Sequence, residues 1–121
     1  MSQFVDGNVK AFTAGAAIGI HVLVKIASGK LAVAGLGDEY IGSMTQASFA
    51  DGDVVGVRLK SAAGTHKLVA AGAFAQGARV YSRAAGEVDD VSTGAKGCGI
   101  ALEAAAAADD VVEVVMDDGE L

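Results

Sequence analysis

The chain has 121 residues, no proline, no tryptophan, one cysteine and a formal net charge of −6. That length supports one core burying roughly two thirds of the unfolded surface, and a lone Cys98 excludes an intrachain disulfide. The acidity repels phosphate backbones and anionic lipid, and two tyrosines with four phenylalanines are too few for a base-stacking platform, so neither nucleic acid nor membrane is expected as a partner.

Met1–Asn8 read as an N-terminal arm that precedes the patterned region and carries two bulky apolar residues, Phe4 and Val5. From Val9 onward the apolar period is two, the mark of strands. Val9–Thr13 is the first strand. Ile20–Ile26 follows, with Val22, Val24 and Ile26 on one face and His21, Leu23 and Lys25 on the other. Lys30–Ala34 and Tyr40–Met44 come next, then a strand whose Val55, Val57 and Leu59 point inward. Lys67–Ala71 opens a second series. Ala78–Ala84 sets Val80, Ser82 and Ala84 against Arg79, Tyr81 and Arg83. Glu87–Val91, Gly97–Leu102 and a last strand with Val112, Val114 and Met116 inward complete it. Turn signals such as Ser28-Gly29, Asp51-Gly52-Asp53 and Thr93-Gly94 separate these strands. The Ala104–Ala108 run is too short to hold an isolated helix. It reads as one helical turn or a compact loop, matched by Gln46–Ala50. The expected fold is all-β: a small β-sandwich or barrel over residues 9–121, with at most one or two short helical turns.

The second series repeats the first. Residues 9–60 and 66–117 align with two single-residue gaps, pairing Lys10 with Lys67, Ala14-Gly15-Ala16 with Ala71-Gly72-Ala73, Val22 with Val80, Gly42 with Gly99 and Asp53–Val57 with Asp110–Val114. The domain is therefore expected to be built from two related β units. The alignment also puts Leu23 and Tyr81 at equivalent outward positions between polar neighbours. Either both faces of these strands are covered within one chain, or Leu23 and Tyr81 mark a subunit interface. With 25 alanines the core is made of thin side chains, so subunit association would add stability. A homotrimer is the expected state, with a dimer as the second option. Phe4, Val5, Leu23 and Tyr81 are the candidate interface residues.

Catalytic and cofactor motifs are missing. No G-x-x-x-x-G-K-[ST], G-x-G-x-x-G or G-x-S-x-G occurs. His21 aligns with Arg79 as a solvated side chain, and His66 has no aligned histidine. No His/Cys spacing supplies the three or four ligands of a metal site. Cys98 aligns with Ile41 and reads as a small buried apolar residue. Asp89-Asp90, Asp109-Asp110 and Asp117-Asp118 point to opposite faces of a strand, and aspartates belong in turns, where they accept backbone hydrogen bonds. Asp51 and Asp53 do not match the EF-hand calcium pattern. No cofactor, metal or catalytic residue is expected.

The second half carries a resemblance. Gly77-Ala78-Arg79-Val80-Tyr81-Ser82, then Gly86-Glu87-Val88, then Gly99-Ile100-Ala101-Leu102-Glu103-Ala104-Ala105, then Asp110-Val111-Val112-Glu113-Val114 resemble, in this order, the small capsid cement or decoration proteins of tailed bacteriophages. The pattern recurs in degraded form in the first half, where Gln46–Asp53 departs from it. The resemblance implies a β-rich fold, no catalysis, and oligomers that bind the major capsid protein on the outside of the shell, after synthesis in the host cytoplasm. The alternative is a non-catalytic β-sandwich that recognises a glycan or host surface, which would need an exposed aromatic platform.

Overall fold

The structure, a computed structural model, describes residues 9–60 and 64–116. Ten strands run through them: β1 Val9–Thr13, β2 Leu23–Ala27, β3 Lys30–Val33, β4 Gly42–Met44, β5 Val54–Leu59, β6 His66–Val69, β7 Arg79–Ser82, β8 Val88–Asp89, β9 Gly97–Ala101 and β10 Val111–Met116. One five-stranded antiparallel sheet has the order β1-β5-β4-β2-β3, and the other has β6-β10-β9-β7-β8. The two orders coincide when β1–β5 are matched with β6–β10.

Each sheet curls until its outer strands meet. Ala14, just past β1, forms a parallel bridge with Leu31 of β3, and Ala70 forms the same bridge with Val88 of β8. The amides of Gly15 and Ala71 donate to the carbonyls of Leu31 and Val88 at 2.9 and 2.7 Å. The outer strands of each sheet are thus tied at one point. One core lies inside the first sheet and contains Ile18, Val24, Leu31, Met44, Val55 and Val57. The other is built chiefly by the second sheet, from residues including Leu68, Val80, Val88, Cys98, Val112 and Val114, and it takes in Leu23, Ala34 and Tyr40 from the first half.

Of the two alternatives for Leu23, the structure shows cover within one chain. The alternation of β2 is as read, since Leu23 and Val24 point into different cores. However, the face carrying Leu23 is covered by the second half of the same chain, and Leu23 is 0% exposed.

The hydrogen bonds also correct the alignment. The amides of Ala14, Ile18 and His21 donate to Asp53, Ser48 and Met44, as those of Ala70, Phe74 and Gly77 donate to Asp110, Ala105 and Ala101. Val24 faces Gly42 across β2 and β4, as Val80 faces Gly99 across β7 and β9. Val24, not Val22, thus matches Val80, and Leu23 matches Arg79 rather than Tyr81. On β1, Lys10 faces Val57 as His66 faces Val114, so Lys10 matches His66 rather than Lys67. A single extra residue suffices, in the connection after β7. There Ala84–Gly86 forms a short 3₁₀ turn with Ala85 at φ 63°. The Ala104–Ala108 and Gln46–Ala50 segments are compact loops, each tied by an isolated bridge at Ala105 or Ser48. In both, one aspartate holds the loop. The Asp53 carboxylate accepts the amides of Phe49 and Ala50, and the Asp110 carboxylate those of Ala106 and Ala107.

Val57 and Val114 are 0% exposed on central strands, facing Met44 and Ala101 across the sheet. Truncating either to alanine removes two buried methyl groups and leaves a small cavity. Each variant is expected to lose about 1–3 kcal/mol of stability, read from urea denaturation, with similar losses for the two.

Candidate docking surface

The two halves meet along a polar and apolar joint. The Tyr40 hydroxyl donates to the Gly97 carbonyl at 2.8 Å. The Val69 amide donates to the His21 carbonyl at 3.1 Å. Glu39 pairs with Lys96 at 3.1 Å. At the centre, Ser43 Oγ and His66 Nδ1 share a hydrogen bond of 2.8 Å, the donor depending on the imidazole tautomer. Both residues are buried. Burial, and then the nearby Arg58 charge, lower the His66 pKa to about 4, so the ring is neutral at neutral pH. A serine–histidine contact suggests nucleophilic chemistry, but a substrate cannot reach this pair, and it joins β4 to β6.

Above the joint lies an open groove of ≈ 390 Å³, lined by His21, Met44, Thr45, Arg58, Thr65 and Lys67. Arg58 Nε donates to the Thr65 carbonyl at 2.9 Å, which fixes the guanidinium in the wall. The Thr65 hydroxyl donates to Glu113 Oε2 at 2.6 Å, and Glu113 faces Lys67 across β10 and β6. The Thr45 hydroxyl donates to the Gly56 carbonyl at 2.8 Å. His21 is half-buried and has φ 64°, in the left-handed region that a residue with a Cβ seldom occupies. Its counterpart in the second half is Gly77, at φ 87°. Burial, then the Lys67 charge, hold its imidazole pKa below the usual value. Read from the repeat alone, His21 is a solvated side chain and the groove does not show. The available signal is that Thr45 and Arg58 stand where the second half has Leu102 and Val115, which a correct alignment exposes.

The surface away from the joint is apolar in places. Phe49 is 83% exposed on its aspartate-held loop, and Val54, near it in sequence, is 67% exposed. Across β7, β9 and β10 runs the row Arg79, Ile100 and Val115. The matching row in the first half is Leu23, Ser43 and Arg58, of which the joint buries Leu23 and Ser43. In the second row Arg79 and Ile100 are half-buried and Val115 is 40% exposed. Of the candidate interface residues, Tyr81 is half-buried on β7 at an irregularity in its pairing with β9. Phe4 and Val5 lie outside the described residues. Among the described residues the aromatics form no platform: Tyr40 and Phe74 are buried, Phe12 and Tyr81 half-buried, and Phe49 stands out alone. The Asp51 and Asp53 carboxylates are engaged, with Lys30 at 2.8 Å and with backbone amides respectively.

A family model described as phage cement protein matches residues 5–116. Among solved structures, the N base of the head fiber gp8.5 in bacteriophage phi29 is similar, with a TM-score of 0.73 at 16% identity. The match covers 93% of this chain and 98% of that one, and at such identity the likeness is one of fold. No curated protein matches.

Proposed function

We propose, from the premise that this chain belongs to the phage cement protein family, that it binds the outer surface of a capsid and strengthens the shell, without catalysing a reaction. The family is one of structural virion components. The observation that carries the reading is the extent of the match, which spans all the described strands rather than one motif. Physical features support it. The two curled sheets share a buried joint. The net charge of −6 favours a position away from packaged DNA. Phe49 on its anchored loop has the form of an interface anchor, an aromatic presented with little conformational freedom left to lose. The N-terminal arm with Phe4 and Val5 belongs to the same proposal, as a segment that reaches across a capsid-subunit boundary.

The partner is the major capsid protein, and the working unit is a homotrimer on the capsid exterior. The row that ends in the exposed Val115 supports self-association, because it leaves an apolar side chain at the surface of a central strand. Val115→Asp places a charge in that row. It is expected to leave the melting temperature of the isolated fold nearly unchanged while shifting the light-scattering mass from trimer to monomer. A wild-type monomer at micromolar concentration would remove the trimer from the proposal. Co-sedimentation with emptied shells lacking the cement protein tests the function itself. Saturable binding is expected, weakened about tenfold (~1.4 kcal/mol) in Phe49→Ala. Wild-type protein that stays in the supernatant would refute the capsid reading.

A further inference from the structure

We propose that the joint is an acid-sensitive latch, in which protonation of His66 parts β4 from β6 and separates the two halves while each keeps its own sheet.

The latch is built from both halves. Ser43 comes from β4 and His66 from β6; they share a 2.8 Å hydrogen bond and are only 3% and 1% exposed. His66 faces Val114 across β6 and β10, so its ring shares the face that builds the second core. Nδ1 is satisfied by Ser43, whereas Nε2 is buried with no hydrogen-bond partner. A neutral ring can keep one such orphan nitrogen at a modest cost. An imidazolium carries a proton on both nitrogens, and a buried charge without a partner is far more costly.

Among the described residues, the groups around the ring offer no counter-charge. β4 presents Gly42, Ser43 and Met44, none of them ionisable. On β10, Glu113 faces Lys67 rather than His66 and accepts the Thr65 hydroxyl. Lys67, the next residue on β6, points to the opposite face. On β5, the Arg58 charge opposes a second positive charge, and the Leu59 backbone favours the proton by less. Across the joint, His21 contributes its backbone carbonyl to the Val69 amide. With its pKa lowered to about 4 by burial and then by Arg58, His66 takes up a proton in mild acid only when the joint opens.

Separation relieves the charge with the least disruption. Ladders join the strands within each half, but among the described residues none crosses from one sheet to the other. Single contacts hold the joint beside the apolar packing of Leu23, Ala34 and Tyr40: Val69 to His21, Tyr40 to Gly97, and Glu39 to Lys96. Segments with few shared hydrogen bonds open first. The Glu39–Lys96 pair stays charged in mild acid, because Lys96 holds the Glu39 carboxyl below its usual range.

Hydrogen exchange of the full-length protein tests the latch, at pH 7 and pH 5 after correction for the intrinsic exchange rate. The Val69 amide donates across the joint. Its protection is expected to fall about twentyfold, the ratio for one proton whose pKa is 6.5 in the open form and about 4 in the closed one. Amides of the β1–β5 ladder should remain better protected than Val69 at both pH values. In His66→Gln the Val69 protection should be the same at both; in His21→Gln the loss should persist. Ladder amides that fall to the Val69 level would show the chain unfolding as one unit and overturn the latch. A loss that persists in His66→Gln would overturn it as well, by placing the proton elsewhere. Should that variant not fold, the wild type decides alone: the loss must follow a one-proton slope of at most about tenfold per pH unit, and a flat or steeper response overturns the latch.

Discussion

Gly99→Ala is expected to cost about 3 kcal/mol and to lower the melting temperature by on the order of 10 °C. A Cβ at Gly99 would collide with the Val115 carbonyl oxygen and stand 2.9 Å from Met116 Cα. These are backbone atoms of the neighbouring strand, so no rotamer change relieves the contact, and β9 and β10 must move apart. Gly42 holds the matched place between β4 and β5. There the added carbon would collide with the Arg58 carbonyl oxygen and lie 3.0 Å from Leu59 Cα, so Gly42→Ala is expected to do comparable damage. Gly19→Ala is the control: nothing lies within 4 Å of its added carbon, and its stability should stay within about 0.5 kcal/mol of wild type. Thermal melts of the three variants check the set. A Gly99→Ala protein that melts with the wild type would show that the two strands separate at little cost.

Acid should destabilise the fold well above the carboxylate range, and His66 is the reason. Its folded-state pKa of about 4 lies below the ordinary value of 6.5, so the unfolded chain binds the extra proton. Stability is then complete above about pH 6.5 and is lost as pH falls toward 4. Between pH 7 and pH 5 the loss attributable to His66 is about 1–2 kcal/mol. Urea midpoints at those two pH values should differ markedly for wild type and much less for His66→Gln, which retains a polar partner for Ser43 but does not titrate. His21, whose pKa is shifted in the same direction, is present in both proteins and cancels in the comparison. Equal pH sensitivity would place the proton elsewhere.

Much of the architecture is legible in the sequence because strands with buried faces write themselves as period two. All ten strands lie within or near the expected segments, and the Asp-Val-Val-x-Val endings mark β5 and β10. The slipped alignment of β1 and β2 has a physical cause. Residue type gives little help in a stretch such as Ala14-Gly15-Ala16-Ala17, where small residues slide by one position without changing the pattern. The hydrogen bonds of Ala14 and Ala70, with the pairings of β1 and β6, set the register. Leu23 escapes a sequence reading for a different reason: alternation reports which residues share a face, but not whether the rest of the chain covers it. The groove stays hidden because its residues come from separate strands and turns, His21 from one side of the joint and Lys67 from the other, with no spacing along the chain to announce them.

The joint has a consequence for how the protein is made. Residues 9–60 carry enough apolar side chains to enclose their own interior, but Leu23, Ala34 and Tyr40 are buried in the cluster that the later strands complete. On the ribosome those later strands emerge last, at about 5–20 residues per second. For several seconds the nascent chain therefore displays a sticky patch that the finished molecule hides, and a message truncated after the first sheet would release a polypeptide with that patch permanently open to aggregation.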